Sequence, residues 1–139
     1  MLQSVIVLMV FLFTVSSVWS VPELLLTLER WKFEVQPGNY LVRFTIQLSN
    51  TYERPIERID AFLYFKDELG KDLEKVYINP HFIIPPGKSD EYTWTYIMNP
   101  FSPILDMKPA DIRVKLAVRG ITFSTGEVLA FTIGSGVVY

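Results

Sequence analysis

The strictest pattern in this chain is an alternation of apolar and polar residues that occurs twice between residues 40 and 73. Side chains on a β-strand point to opposite faces with a period of two. Each alternating segment therefore predicts a strand with one face on a core and the other in water. The predicted core face comprises Val42, Phe44, Ile46 and Leu48 in the first segment and Ile59, Ala61, Leu63 and Phe65 in the second.

Turn residues separate and follow these two segments. Residues 49–55, with the sequence SNTYERP, contain asparagine, serine and proline, which favour turns. After the second segment, Asp67 and Gly70 form a D-x-x-G sequence, and glycine can adopt the positive φ of a tight hairpin. Two successive amphipathic strands that end in a hairpin predict an antiparallel sheet with one face on a core.

The rest of the chain repeats this organisation in shorter pieces. Residues 23–35 change phase midway, which predicts a bulge near Glu29 and Arg30. Turn signals occur at residues 36–39, 85–89 and 124–127, and residues 99–111 contain three prolines, which predicts a loop over an apolar surface. Seven or eight short strands with regularly spaced turns predict an all-β, antiparallel β-sandwich.

The N-terminal segment differs from the rest of the chain. Residues 1–21 carry no charged side chain, the apolar run has the length of a secretory signal, and small residues precede Val21. The segment lacks the basic residue that usually begins a signal peptide. It is just long enough to span a bilayer, so an uncleaved membrane anchor is one alternative. A buried helix is the other. We expect a signal peptide or membrane anchor in residues 1–20 and one β-sandwich domain in residues 21–139, secreted, in the cell envelope or membrane-anchored.

Composition argues against most catalytic chemistry. The chain has no cysteine, which excludes disulfides, thiolate catalysis and cysteine zinc sites. His81 is the one histidine in the sequence, so a serine nucleophile has no obvious base. Asp67, Glu68 and Asp72 cluster at a turn, but their spacing fits no EF-hand. We therefore expect no enzyme activity, no cofactor and no metal, and the net charge of −2 predicts no nucleic-acid partner.

An aromatic strand is the first candidate binding feature. Tyr92, Trp94 and Tyr96 alternate with threonines, a composition typical of strands. These three rings are candidates for lining a ligand groove. The alternative is that they belong to the core.

A second candidate lies on the face of the second segment opposite the predicted core. Phe62 and Tyr64 are adjacent large aromatics on that nominally wet face. Contiguous exposed apolar groups mark contact sites, so Phe62 and Tyr64 form a candidate partner surface. Two alternatives remain, since either the loop at residues 99–111 or the second phase of residues 23–35 would cover them.

The order of these features resembles the FxLYD-type domains of bacterial and archaeal envelope proteins and, more loosely, the type 2 late-embryogenesis-abundant domain. The resemblance spans residues 24–133, and the name-giving motif falls on residues 63–67. In this stretch Asp67 is identical to the aspartate of the motif. Leu63 and Phe65 occupy the positions of its phenylalanine and leucine, and Lys66 occupies the position of its tyrosine. The resemblance implies an immunoglobulin-like sandwich in an envelope setting and supplies no catalytic residues.

These observations predict a non-catalytic extracytoplasmic β-sandwich module for protein interaction or for envelope and surface assembly. The alternative is a ligand- or substrate-binding accessory domain that uses the aromatic strand. We expect a protein partner. Membrane association through residues 1–20 and homo-oligomerisation both stay open.

Overall fold

A computed structural model describes residues 22–38, 40–132 and 137–138 of the chain. The described residues form β-strands connected by turns and by two short 3-10 turns, Pro103–Asp106 and Pro109–Asp111. The strands are β1 (Leu26–Val35), β2 (Leu41–Asn50), β3 (Ile56–Lys66), β4 (Asp72–Ile78), β5 (His81–Ile84), β6 (Ser89–Ile97), β7 (Arg113–Phe123), β8 (Val128–Ala130) and β9 (Val137–Val138).

The strands form two antiparallel sheets. The small sheet has the order β1-β2-β6, and the large sheet has the order β4-β3-β7-β8, with β5 also pairing β3 and β9 also pairing β7. Side chains from both sheets share one core, in which the rings of Phe44 and Phe65 lie 5.2 Å apart. The predicted all-β, immunoglobulin-like sandwich is therefore confirmed.

The two alternating segments are β2 and β3, and they lie in different sheets. The polar residues 51–55 carry the chain from the small sheet to the large one, so β2 and β3 face each other across the core. The prediction of a single sheet built on these two segments was wrong, because alternation specifies a strand's faces and not its neighbours. The hairpin at Asp67 and Gly70 is confirmed; it joins β3 to β4, and Gly70 has a φ of 80°.

The predicted bulge near Glu29 and Arg30 of β1 is confirmed. The register between β1 and β2 shifts between Leu28 and Arg30. Beyond the shift, Trp31 lies opposite Ile46 and Phe33 opposite Phe44, on the same face as Leu28. Because a bulge adds one residue to one strand, both halves of β1 turn their apolar side chains to the core.

The core positions predicted by alternation are buried, and one outward position is buried too. Thr45 lies on the outer face of the small sheet but is only 7% exposed, which corrects the prediction of a wet side chain. It occupies the central strand, and its Oγ1 lies 2.9 Å from Oγ1 of Thr93 on β6. Its side chain lies between those of its cross-strand partners, Lys32 of β1 and Thr93 of β6. The eight predicted core positions, all buried, are Val42, Phe44, Ile46, Leu48, Ile59, Ala61, Leu63 and Phe65, and Val114 and Leu116 of β7 are buried as well.

The proline-rich connection between β6 and β7 lies over the core, as predicted. Ile104 is fully buried, whereas Phe101 is 92% exposed. No helix among the described residues is long and apolar enough to cross a membrane. The predicted signal peptide or anchor in residues 1–20 lies outside the described residues.

Candidate interaction face

Phe62 and Tyr64 lie on the outer face of the large sheet. On one side of β3, Phe62 pairs with Tyr77 and Tyr64 pairs with Lys75, both on β4. On the other side, the same two residues pair with Ala117 and Lys115 of β7. Directly opposite residues in an antiparallel pair point to the same side of the sheet, so these side chains form adjacent rows.

The three rings in these rows are in contact with one another. The ring centroid of Phe62 lies 5.3 Å from that of Tyr77 and 6.3 Å from that of Tyr64, in tilted arrangements. Phe62 and Tyr64 are half-buried, and Tyr77 is 50% exposed. The rings therefore form one continuous aromatic surface. Tyr77 was not singled out from the sequence, because only the register of β4 places it beside Phe62.

Two cationic groups lie against this aromatic surface. Lys75 Nζ is 4.1 Å from the ring centroid of Phe62 and 5.4 Å from that of Tyr64. Arg119 Cζ is 5.6 Å from the centroid of Phe62. Both groups are within the range at which a cation is attracted by an aromatic face. The register of β7 shifts beside Arg119, since Val118 pairs with Ala61 and Gly120 with Asp60.

The charges on this face are mostly positive. We define the basic aromatic face by the three rings and their cationic neighbours. Among the described residues, Lys66 donates to Asp72 at 2.6 Å, whereas Lys75, Arg113 and Arg119 form no ion pair with a carboxylate. The whole chain, by contrast, has a net charge of −2. The face comprises Phe62, Tyr64, Tyr77, Lys66, Lys75, Arg113, Lys115 and Arg119.

Asp60 borders the basic aromatic face, one outward position along β3 from Phe62. It lies opposite Gly120, next to the register shift at Arg119. Its Oδ1 atom is buried and has no hydrogen-bond donor among the residues that the structure describes. Unpaired buried acceptors are uncommon in folded proteins, which distinguishes Asp60 from the other polar side chains beside this face.

Neither expected cover lies over Phe62 and Tyr64. The second phase of β1 is in the small sheet and points to the core, where the ring of Trp31 is 6.3 Å from that of Phe65. In the proline-rich connection, Ile104 points into the core, and Leu105 lines a cleft with Tyr40 at the β1–β2 turn. Within the described part of the chain, the rings therefore contact one another and their cationic neighbours.

The aromatic strand is β6, and its rings lie on the core side of the small sheet. Tyr92 stacks on Trp94 at 5.1 Å, and Trp94 stacks on Phe44 at 5.3 Å. Tyr92 also stacks on Phe82, and Tyr96 contacts Phe44 edge-on. All three predicted residues are half-buried. Three shallow clefts formed by described residues have other linings, and a ligand role for these rings stays a prediction.

Asp67, Asp72 and His81, considered from the sequence as polar candidates, each have a partner in the structure. Oδ1 of Asp67 accepts hydrogen bonds from the backbone amides of Leu69 and Lys71, both at 2.9 Å. His81 begins β5 at the surface, with Nε2 3.3 Å from Oε1 of Glu57. No group of three or more metal-ligating side chains was found among the described residues. These residues stabilise turns and strand ends.

Comparison with known proteins supplies no family. No protein-family model matches the chain, and neither does any curated protein sequence. Among solved structures, the chain is similar to a Northeast Structural Genomics Consortium target, with 16% identity, a TM-score of 0.42 and coverage of 79% of this chain and 89% of that one. It is also similar to a Bordetella pertussis protein given the name ApaA, with 15% identity, a TM-score of 0.40 and coverage of 82% and 99%.

Proposed function

We propose that this chain is a non-catalytic, extracytoplasmic β-sandwich module that binds a protein partner through the basic aromatic face. The observation that carries the proposal is the continuous surface of Phe62, Tyr64 and Tyr77 on the outer side of the large sheet. Contiguous aromatic surface on a protein marks contact sites, and tyrosine and arginine are enriched among residues that dominate binding energy.

Other features support the remaining parts of the proposal. The apolar, uncharged residues 1–21 support export or membrane tethering. The resemblance to FxLYD-type envelope domains agrees with that setting. The two backbone amides bound by Oδ1 of Asp67 and the pairing of His81 with Glu57 support structural roles for these residues, as expected of a non-catalytic module.

The absence of cysteine from the sequence allows a direct test of the proposed contact. Tyr77→Cys and Thr95→Cys would each carry one benzophenone-maleimide, on the outer faces of the large and small sheets respectively. The detergent-solubilised full chain would be irradiated with a membrane extract of the cells that make it, and cross-linked proteins would be identified by mass spectrometry.

We expect one defined protein to be cross-linked from position 77 and not from position 95. Adding Phe62→Ala should remove that product, because aromatic anchors commonly contribute about 2 kcal/mol or more to binding. Cross-linking of the same proteins from both positions, or of none from position 77, would refute the proposed face.

A further inference from the structure

We infer that the basic aromatic face binds an acidic segment of the partner in an extended conformation. The inference rests on the proposed function and adds the chemistry of the partner. The partner segment would supply carboxylates that complement the cations of the face and apolar or aromatic side chains that pack on the three rings.

The cations of the basic aromatic face favour an acidic partner. Lys75, Arg113 and Arg119 are exposed, and none forms an ion pair with a carboxylate among the described residues. Five of the 13 basic residues of the sequence lie on this face, namely Lys66, Lys75, Arg113, Lys115 and Arg119, although acidic residues outnumber basic ones in the sequence, 15 to 13. Complementary potential across an interface selects partners and accelerates association. An acidic segment is therefore favoured over a neutral or basic one.

The geometry of the rings favours an extended segment. The centroids of Phe62 and Tyr64 lie 6.3 Å apart along β3. Alternate side chains of an extended chain repeat at about 6.6–6.8 Å, twice the rise of one residue. A segment lying along β3 can thus place successive same-side residues over both rings. Lys75 and Arg119 both approach Phe62, so a carboxylate beside that ring would meet two cations.

Two other classes of partner fit these observations less well. A membrane surface would engage protruding apolar side chains, and the most exposed ones, Leu69 at 94% and Phe101 at 92%, lie in connections between strands and not among these rings. A polynucleotide longer than this face would also meet the rest of the chain, whose net charge of −2 repels phosphates. A protein segment uses both the rings and the cations.

The test uses the detergent-solubilised full chain and two fluorescein-labelled synthetic peptides, one repeating phenylalanine-serine-glutamate-serine and the other repeating phenylalanine-serine-lysine-serine. In an extended chain this order places the phenylalanines and the charged residues on the same side. Fluorescence polarisation should show binding of the glutamate peptide, weaker at higher salt, and no binding of the lysine peptide. Lys75→Glu combined with Arg119→Glu should weaken binding about tenfold or more.

A matched control comes from the small sheet. Lys32 and Arg43 are exposed on its outer face. Lys32→Glu combined with Arg43→Glu makes the same change in net charge and should alter binding by less than about twofold. Equal weakening by the two double variants, or equal binding of both peptides, would overturn the inference.

Further measurements distinguish the other occupants. Binding to phosphatidylserine-containing vesicles above binding to phosphatidylcholine vesicles, lost in Lys75→Glu/Arg119→Glu, would overturn the inference in favour of a membrane. Face-dependent binding of polyuridylic acid, or self-association lost in the same variant during sedimentation, would overturn it in favour of RNA or a second copy. If neither peptide binds while position 77 still cross-links a protein, the inference fails and the proposed function stands.

Discussion

Asn50 is the residue on which the connection between the two sheets most depends. It is fully buried, and its Nδ2 donates to the carbonyl oxygens of Arg54 at 2.9 Å and Ile84 at 2.8 Å. Its Oδ1 accepts from the amide of Tyr52 at 2.8 Å. One amide side chain therefore satisfies three backbone groups where the chain leaves β2 for β3.

Replacement of this asparagine should destabilise the fold. Asn50→Ala leaves buried backbone groups unpaired, which costs about 1–3 kcal/mol of unfolding free energy. Urea denaturation measures the change, and Asn79→Ala, at an exposed asparagine, provides the control. If both variants lose the same stability, Asn50 does not hold the connection as described.

Tyr52, in the same connection between β2 and β3, makes the stability of the fold depend on pH. Its hydroxyl donates to the carbonyl oxygen of Glu23 at 2.9 Å, and its ring meets Phe123 edge-on. Burial raises the pKa of Tyr52 above its usual value of 10.0, because burial disfavours the phenolate. The neutral form is thus stabilised in the fold. The contribution of the neutral Tyr52 side chain to the free energy of unfolding is complete below pH 10.0. It is lost as the pH rises through the higher folded-state pKa.

The comparison of wild type with Tyr52→Phe isolates this effect. Below pH 10.0 the wild type should be more stable, by about 1 kcal/mol for the hydrogen bond to Glu23. At higher pH its free energy of unfolding should fall more steeply than that of the variant. Urea denaturation at a series of alkaline pH values measures both curves, and parallel curves would exclude Tyr52 as the titrating group.

At the scale of elements, the bulge in β1 lets both halves of the strand turn their apolar side chains to the core. Leu26 and Leu28 precede the bulge, and Trp31 and Phe33 follow it. Deletion of Glu29 would remove the extra residue and leave Leu28 directly before Arg30 in a regular strand, with Leu26 and Leu28 still on the core face. We therefore expect a loss of less than about 1 kcal/mol, close to that of Glu29→Ala, which removes only a surface hydrogen bond from Ser89. Deletion of Thr27, in the regular part of the strand, turns one of the two leucines to the outer face and should cost about 2 kcal/mol or more. Equal urea midpoints for the two deletions would contradict the position of the bulge.

Local pattern predicted the faces of the strands but not their neighbours. Alternation identified Phe44, Ile46 and Leu63 as core positions because side-chain direction depends only on the residue's own strand. Pairing depends on distant parts of the chain. For that reason alternation could not show that β2 and β3 lie in different sheets, or that Thr45 is buried beside Thr93.

In the candidate site, too, the sequence predicted which side chains face outward but not which strands lie side by side. Phe62 and Tyr64 could be identified as outward-facing aromatics from β3 alone. Tyr77 and Lys75 join them only through the register of β4, and Arg119 joins them through the shifted register of β7. No short motif in the sequence indicates those pairings, so the cationic part of the face could not be predicted.

For the whole molecule, the proposal of an extracytoplasmic module makes a prediction about the N-terminus. If residues 1–20 are a cleaved signal, the exported protein begins at Val21 and is soluble without detergent. Intact-mass measurement of natively exported protein decides between the alternatives. A mass that includes residues 1–20 would replace the signal peptide with a retained anchor.

The central claim is that the outer face of the large sheet is used for binding while its inner face stabilises the fold. Residues 62–64 of β3 test this claim, because Leu63 is fully buried between two outward aromatics. Leu63→Ala should cost about 2–5 kcal/mol. Phe62→Ala with Tyr64→Ala removes cross-strand contacts worth about 0.2–1 kcal/mol each.

The decisive measurement is cross-linking from position 77 in the Phe62→Ala/Tyr64→Ala double variant, with the urea denaturation midpoint measured on the same protein. We expect the cross-linked partner to disappear while the midpoint stays close to that of the parent. Persistence of the cross-link, or a midpoint lowered as far as by Leu63→Ala, would contradict it.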